Sequence, residues 1–444
     1  MRLAWILLLA APLLMGADQT PGRGPLQLSL KRAVEIATSP EGSAKIQLSG
    51  ESLKQAQSRS AQSRAALLPD LSAAWSMQNR TTNLAAMGFK FSLPIPGFTF
   101  PSFVGPYNTM DARVSASQTV FDFASIRRFQ ASKVGISAAK SDVDAAGEQV
   151  AAQVARAYLA AVRAGADVDT AKANVTLSEA VLTQAQNQKS AGTGTGIEIT
   201  RAKVQLANDR QRLLVAQNAL RSASLQLLRA VGLRLDTEVE LTDRLQFVPV
   251  DEVTLEQAKA QAMKQRPDYQ AQQNRESNAR LSASATKLER LPTVAAMGDY
   301  GPTGSGFDNA GPTRAYGIAV RVPIFDGGRR DERRFESESQ YRAEKVRTND
   351  LKEQIELDVR LALDSLRSAG DQVGVAKDGL ELADNELTQA RRRYEAGVTN
   401  SLEVTDAQTR LERARDNQTN ALYNYNVARI DLAQAMGKVR SLVQ

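Results

Sequence analysis

The feature that most constrains this chain is an internal duplication at one fixed offset of 205 residues, the separation of Gly192 and Gly397. Residues 191–232 align with residues 396–437 from end to end. An offset this long lies far outside the roughly 20 to 50 residues of solenoid repeats. The sequence therefore predicts one object built from two similar halves, and not a row of independent domains.

A heptad pattern runs through the second half. Apolar positions recur at alternating spacings of 4 and 3 across residues 355–394 and again across 404–435, with Ala alternating with larger side chains. This 3.5-residue period is typical of α-helices that supercoil around each other with a left-handed twist. The first half repeats the pattern, which predicts helical hairpins at about 124–232 and 328–437. Because only a short turn separates the arms, each pair must be antiparallel.

The hairpin turns have their own sequence signals. Gly192 and Gly397 occupy positions where the C-terminus of a helix favours glycine. After the first turn Glu198 completes a predicted capping box, and after the second Asn400 and Glu403 form the equivalent one. We therefore predict a new helix directly after each glycine turn.

Four segments with a period of two indicate strands, at about 71–80, 110–121, 293–300 and 314–323. In three of them one side is apolar and the other carries mainly Ser, Thr, Gly or Arg, whereas 293–300 is a weak strand. Any one of them fits either a barrel wall between lipid and water or an ordinary half-buried sheet. Four strands cannot close a membrane barrel, whose smallest members have about eight. Strands in a membrane would therefore require several subunits to share one barrel.

The segment 81–107, between the first two strands, is rich in phenylalanine and proline. An apolar connection of this kind fits two roles, a cap over a pore mouth or packing against the rim of a barrel. The sequence leaves both interpretations open.

Residues 1–17 form a predicted secretory signal peptide, with a charged start, an apolar run over 3–14 and a small-residue exit near Ala17. The apolar run is shorter than the ~20 residues of a spanning helix, and no later stretch is long and apolar enough to span as one. The mature chain is therefore expected to be exported. Because no cysteine stands at the predicted cleavage site, we do not expect an N-terminally acylated lipoprotein.

Composition excludes several functional classes. The chain has no cysteine and no histidine, so disulfides, thiolate metal sites and Ser-His-Asp or Cys-His catalysis are impossible. We expect no cofactor and no bound metal. The net charge of +7 comes from Lys and Arg interleaved with Asp and Glu. Such interleaving is typical of solvated helix faces, and a nucleic-acid partner would require a concentrated basic face.

Residues 393–408, RYEAGVTNSLEVTDAQ, form the most specific motif of the chain. Supporting motifs are LSLKRAVEIA at 28–37, TLEQA at 254–258, Leu-Pro pairs at 68–69 and 291–292, and VPIFDGGR at 322–329. In this order and spacing, across essentially the whole mature chain, they resemble the TolC family of outer-membrane efflux proteins.

The resemblance implies a mainly α-helical homotrimer with a membrane β-barrel. Four strands from each protomer would build a 12-stranded barrel in the lipid of the outer membrane, and the coiled hairpins would form a periplasmic tunnel. The two repeats would cover 18–232 and 266–437, with an equatorial linker at 233–265 and a short tail at 438–444. Family members are passive exit ducts that work with a periplasmic adaptor and an inner-membrane pump.

The resemblance also implies a gate of polar contacts at the helical tips. Its expected members are Asp406, Tyr394, Glu403, Thr399, Lys189, Arg201 and Glu198. Thr399 stands where some members of the family have an arginine, so Lys189 or Arg201 would supply the missing cation across protomers. Helix capping is an alternative role for Glu198 and Glu403, and the last core position of the heptad is one for Tyr394. Asp406 has no such alternative and is the strongest candidate.

The same tips would receive the hairpin of the adaptor. The expected docking residues are the two turn glycines and the alanines before them, Ala191, Gly192, Ala396 and Gly397. Their role as helix ends follows from the sequence pattern, whereas docking is implied only by the resemblance.

Two other functional classes are weighed against an export duct. A secreted periplasmic structural or signalling coiled coil would explain the heptads, but not strands at equivalent places in both halves. An enzyme with a carboxylate pair, such as a glycosidase, would need two acids in one pocket, and nothing in the sequence places them there. We therefore predict a non-enzymatic outer-membrane exit duct.

Overall fold

A computed structural model describes residues 25–88, 102–250, 253–399 and 401–443. The predicted signal peptide, the middle of segment 81–107 and Asn400 lie outside the described residues. The chain divides into two compact units. The first comprises the described residues up to Ala37 together with Val154–Gln246 and Ala376–Tyr423, and the second comprises the remainder.

The elements follow one another in an order that repeats between the halves. They are β1 (Leu26–Leu28), α1 (Leu30–Thr38), α2 (Ala44–Ala65), β2 (Asp70–Asn83), β3 (Phe103–Phe121), α3 (Phe123–Ser190), α4 (Gly196–Val231), β4 (Val239–Leu241), α5 (Leu255–Gln265), α6 (Pro267–Leu288), β5 (Thr293–Gly304), β6 (Gly311–Arg321), α7 (Arg329–Glu395), α8 (Ser401–Ala435) and α9 (Val439–Val443). Both predicted helical hairpins are therefore present, as α3–α4 and α7–α8.

The heptad positions are the buried ones, as predicted. Along α7 these include Ile355, Val359, Leu387 and Ala390, and α3 buries Val154 in the same way. The alternation of large residues with Ala gives each helix a narrow apolar stripe, and burial of that stripe favours the antiparallel pairing. The remaining faces carry mostly polar residues, together with the exposed Leu357, Leu361, Val375 and Leu382 of α7.

The second unit contains an antiparallel sheet of order β2-β3-β5-β6. Its register pairs Asp70 with Ser117 and Thr293 with Arg321. Within the described residues this sheet does not close on itself, so β2 and β6 each have one free edge. The apolar side of β6 is open, with Tyr316 86% exposed.

Each of the four strands extends beyond its predicted segment at one end or at both. The segment predicted at 110–121 begins at Phe103, and that at 293–300 continues to Gly304. At the end of β5 and the start of β6 the predicted segments stop short of a Gly-Pro pair, but the pairing of these two strands carries both through residues 301–302 and 311–312. The segment predicted at 314–323 was wrong at its end, because β6 stops at Arg321 and Pro323 offers no N–H to a ladder.

The helices of the second unit share an apolar cluster. Ala258 of α5, Tyr269 of α6, Ile355 and Val359 of α7, and Met436 beyond α8 are buried together. Most of the predicted C-terminal tail forms the short helix α9. Its first residue, Val439, is fully buried and its backbone N–H donates to Glu148 Oε2 at 2.7 Å.

The first unit holds a small parallel sheet that periodicity did not predict. Leu26 of β1 pairs with Val239 of β4, within the predicted linker 233–265. Each strand has three residues, too few for an alternating pattern. The buried hydroxyl of Tyr158 in α3 supports this sheet by donating to Leu28 O at 2.9 Å.

In the ranges described, no helix combines the length and the hydropathy needed to cross a membrane.

Candidate functional site at the helical tips

The two hairpin turns of the first unit are built by the same backbone bonds. At the first, Thr193 N donates to Gln188 O at 2.9 Å and Gly192 N donates to Lys189 O at 3.0 Å. The second turn repeats both bonds at the equivalent positions around Gly397. Both glycines adopt positive φ, +77° and +70°. These are Schellman ends, so the predicted role of both glycines as helix C-caps is confirmed.

The four expected docking residues lie together on the surface of the turns. Ala191, Gly192, Ala396 and Gly397 are all exposed. A methyl group added at either glycine would meet no other atom within 4 Å. The backbone of both turns is therefore accessible to a partner, and docking stays a prediction.

The acidic residues of the two tips, Glu198 and Glu403, make different contacts. Glu198 Oε2 accepts the backbone N–H of Thr195 at 3.1 Å, which is the capping interaction. Glu403 instead pairs with Arg393 Nη1 at 3.0 Å and accepts a hydrogen bond from the hydroxyl of Thr399. Its predicted capping partner, Asn400, is not described. Capping is therefore confirmed for Glu198, whereas Glu403 holds α7 and α8 together across the turn.

Sequence reasoning missed Arg393. Within the protomer it supplies the cation beside Glu403, a role that was expected of Lys189 or Arg201 from a neighbouring protomer. Both of those side chains are exposed, and the described residues include no ion pair for either. The place of Arg393 in the sequence could have indicated its importance. Arginines are favoured in the last turn of a helix, and Arg393 lies in the last turn of α7.

Tyr394 joins the two hairpins of the first unit. Its ring is 4% exposed and packs with Leu387, Ala390 and Val404 in an apolar cluster. Its hydroxyl donates to Gln188 Oε1 at 2.6 Å. Burial, together with the nearby charge of Glu198, raises the pKa of Tyr394. The core role of Tyr394 is confirmed, and the same side chain links α7 to α3.

Replacing Tyr394 with Phe should keep the core contact and remove this link. We expect the loss of one hydrogen bond to lower the free energy of unfolding by about 1 kcal/mol. Thermal unfolding followed by circular dichroism measures the change. Tyr423 to Phe is a matched control. Arg163 lies over the ring of Tyr423, 5.1 Å from the ring centroid, and phenylalanine keeps that ring. An equal loss in both variants would contradict a specific role for the Tyr394 hydroxyl.

Asp406 differs from the other tip residues. It is exposed on α8, and the structure shows neither a hydrogen bond nor an ion pair for it within the described part of the chain. The structure thus brings Tyr394, Glu403 and Thr399 into contacts of their own, but it leaves the carboxylate of Asp406 facing outward.

A polar cleft in the same unit was not predicted. It has a volume of about 390 Å³ and is lined by α3, α4 and α8. Its charged residues are Asp167, Asp209, Arg212, Glu412, Arg413 and Asp416. These residues lie on three helices of two different hairpins, so no local sequence motif connects them.

The fold and the tips together define a class of protein. An open four-stranded sheet with an exposed apolar face, combined with two helical hairpins that end in exposed glycine turns, is the protomer architecture of an outer-membrane channel. The family model of the outer membrane efflux proteins matches residues 41–233 and 259–438. The chain belongs to this family, and the resemblance inferred from its motifs is confirmed.

Characterised relatives are distant in sequence. The toluene efflux pump outer membrane protein TtgF of Pseudomonas putida is 25% identical over 297 residues, covering 64% of this chain and 60% of that protein. The alkaline protease secretion protein AprF of Pseudomonas aeruginosa is 22% identical over 336 residues, covering 72% and 68%. The chain thus aligns with about three fifths of the length of the toluene pump protein.

Solved structures share the fold. The CmeC outer membrane channel of Campylobacter jejuni superposes with a TM-score of 0.79 at 17% identity, covering 92% of this chain and 85% of that one. VceC of Vibrio cholerae gives 0.76 at 20% identity, covering 92% and 96%. The predicted fold class is confirmed. Family membership also assigns the protein to the outer membrane, as expected, and members of this family are channels.

Proposed function

We propose that this protein is the outer-membrane exit duct of a tripartite efflux or type I secretion system, which conducts its cargo passively. The observation that carries the proposal is the sheet β2-β3-β5-β6, which has two free edges and an exposed apolar face. Free edges in lipid leave backbone groups without hydrogen bonds, which is prohibitive. Three such sheets joined edge to edge would satisfy these groups, and their strand number exceeds the minimum of about eight for a membrane barrel.

The proposed partners are two further copies of the chain, a periplasmic adaptor and an inner-membrane pump. Support for the adaptor comes from the exposed small residues at both turns, where a partner helix can approach the backbone closely. Support for a pump comes from the names of the relatives, one a toluene efflux pump component and one a protease secretion protein. A passive duct accommodates either kind of cargo.

The proposed gate lies at the tips, with Asp406, Tyr394, Glu403, Thr399, Lys189, Arg201 and Glu198 as its members. Asp406, Lys189 and Arg201 support the proposal because they are exposed charges, available to a neighbouring protomer. Tyr394, Glu403 and Thr399 would hold the shape of one protomer. Exposed polar links contribute about 0.2–1 kcal/mol each, so a closed gate requires several of them.

Asp406 to Ala is expected to raise the time-averaged conductance of single channels in planar bilayers. Losing one exposed link of up to about 1 kcal/mol would increase the occupancy of the open state up to about fivefold. Asp378 to Ala is the control, because Asp378 is an exposed carboxylate of α7 away from the turn. Equal conductance in the wild type and the Asp406 variant would remove Asp406 from the gate.

The proposed function is tested by the native mass of the protein extracted in detergent from outer membranes. Three chains per particle are expected. A water-soluble monomer or dimer would show that the sheet is not in lipid, and the secreted coiled-coil interpretation would then replace the duct.

A further inference from the structure

The polar cleft contains an ion pair that connects the two hairpins. Glu412 of α8 is 8% exposed and contacts Arg212 of α4 directly. Arg212 also lies 3.6 Å from Asp209, which is 1% exposed. Asp209 accepts hydrogen bonds from the hydroxyl of Ser178 and, at 3.1 Å, from Gln205 Nε2. One arginine therefore faces two buried carboxylates from different helices.

Further charged and polar groups face this pair from α3 and α8. Asp167 of α3 is 3.9 Å from Arg163 of the same helix. Asp416 and Arg413 of α8 line the cleft beside Glu412. Asn174 of α3 is buried against the cleft, and the described residues include no hydrogen bond for it. Negative charge therefore predominates over the counter-charge available to Glu412.

Burial in the cleft destabilises the ionised form of its carboxylates. Burial raises the pKa of Glu412 even though Arg212 acts in the opposite direction. Burial likewise raises the pKa of Asp416 and of Asp167. A buried ion pair often fails to recover the free energy that its charges lose on leaving water. The ionised form of Glu412 is thus less stable in the cleft than in solvent.

We propose that this cleft is a proton-linked latch, in which α8 packs more firmly against α3 and α4 when Glu412 carries a proton than when it is ionised. The sign follows from linkage. The packed form binds the proton at a higher pH than a form in which Glu412 is open to water, so a falling pH favours packing and a rising pH favours separation. A pKa difference of one unit between two conformations changes their ratio by up to about tenfold.

Arg212 and Glu412 are not equivalent in this latch. Without Arg212, an ionised Glu412 would be buried beside Asp209 and would lose the cation that contacts it, so Arg212 to Met should favour separation at neutral pH. Glu412 to Gln keeps the shape and removes the titrating proton of this side chain, so it should weaken the dependence on pH, while Asp416 and Asp167 still titrate in the cleft. The remaining Arg212 is 57% exposed and can be solvated by water.

Access to the cleft can be measured directly because the chain has no cysteine. A cysteine at Ala216, which lines the cleft on α4, is labelled with a water-soluble maleimide between about pH 7.5 and pH 5. A cysteine at exposed Ser190 corrects for ionisation of the thiol itself. The corrected rate at position 216 is expected to fall as the pH falls.

The variants determine whether the latch explains that fall. Glu412 to Gln should make the corrected rate depend less on pH than in the wild type, and Arg212 to Met should raise it at neutral pH. Arg410 to Met is the control, because Arg410 pairs with Glu386 at 2.9 Å on the exposed surface, and it should behave as the wild type. A pH-independent rate in the wild type, or an unchanged profile in the Glu412 variant, would overturn the latch.

The functional consequence of the latch rests on the proposed duct, and the two can fail separately. Bilayer conductance should fall in acid for the wild type and should fall less for Glu412 to Gln. If labelling follows the expected pattern but no pore forms, the latch stands and the duct is rejected. If pores form but the corrected labelling rate does not change with pH, the duct stands and the latch is rejected.

Discussion

Replacing Gly301 with Ala is expected to prevent β5 from pairing with β3 and to abolish the folded sheet. A methyl group at this position would lie 2.1 Å from Ala112 O and 2.4 Å from the Cα of Arg113. Both atoms belong to the backbone of β3, so no side-chain rotation can relieve the overlap. The strands would have to separate, at an expected cost of about 3 kcal/mol or more. Because the sheet is shared in the proposed trimer, assembly should fail with it.

The measurement is the yield of heat-stable oligomer extracted from outer membranes, together with the sheet signal in circular dichroism. Gly317 of β6 provides a matched control, since a methyl group there would meet no atom within 4 Å. Gly317 to Ala should assemble like the wild type. Normal yield and unfolding temperature for the Gly301 variant would show that β3 and β5 are not packed as described.

The second large effect is expected at Arg266, between α5 and α6. Its side chain is 13% exposed and pairs with Asp268 at 2.8 Å and Asp358 at 2.9 Å. It also donates to Ala435 O at 3.5 Å. Burial opposes the charged form of Arg266, yet the hydrogen bonds and charges of the two aspartates prevail and raise its pKa. This one side chain therefore connects α6, α7 and α8.

Arg266 to Met should lower the free energy of unfolding by about 2–3 kcal/mol, because two partly buried carboxylates lose their cation. Arg275 is the control, since its pair with Asp142 is 46% and 41% exposed. Arg275 to Met should change stability by at most about 1 kcal/mol. Urea unfolding of the detergent-solubilised protein compares the two. Losses of similar size would mean that Arg266 acts only as a surface charge.

Local elements were predictable because their causes are local. The glycine turns follow from the backbone geometry that a helix end requires, and the helices follow from a repeating apolar stripe, so α3–α4 and α7–α8 appear where the pattern places them. The strands were found where side chains alternate. Their ends were missed at glycine and proline, where only pairing to a neighbouring strand maintains the extended backbone.

The tip site was predicted in part. Glu198 caps its helix and Tyr394 fills the last core position, since both roles depend on neighbours within a few residues. Within the protomer the cation beside Glu403 is Arg393, which reaches it across the turn, whereas a cation from Lys189 or Arg201 across protomers stays a prediction. The latch pair was not anticipated, since Arg212 and Glu412 are 200 residues apart and neither lies in a motif.

By itself, the sequence determined the duplication, the antiparallel hairpins, the turn glycines and the exclusion of thiol and imidazole chemistry. These properties depend on residue type and on periods of two, three or four residues. Only the tertiary structure decided which polar side chains meet, including Tyr394 with Gln188, Arg393 with Glu403 and Arg212 with Glu412. Such meetings depend on the register between helices, within one hairpin for Arg393 with Glu403 and between separate hairpins for the other two pairs. That register is set by packing summed over many apolar contacts, and no short stretch of sequence contains it.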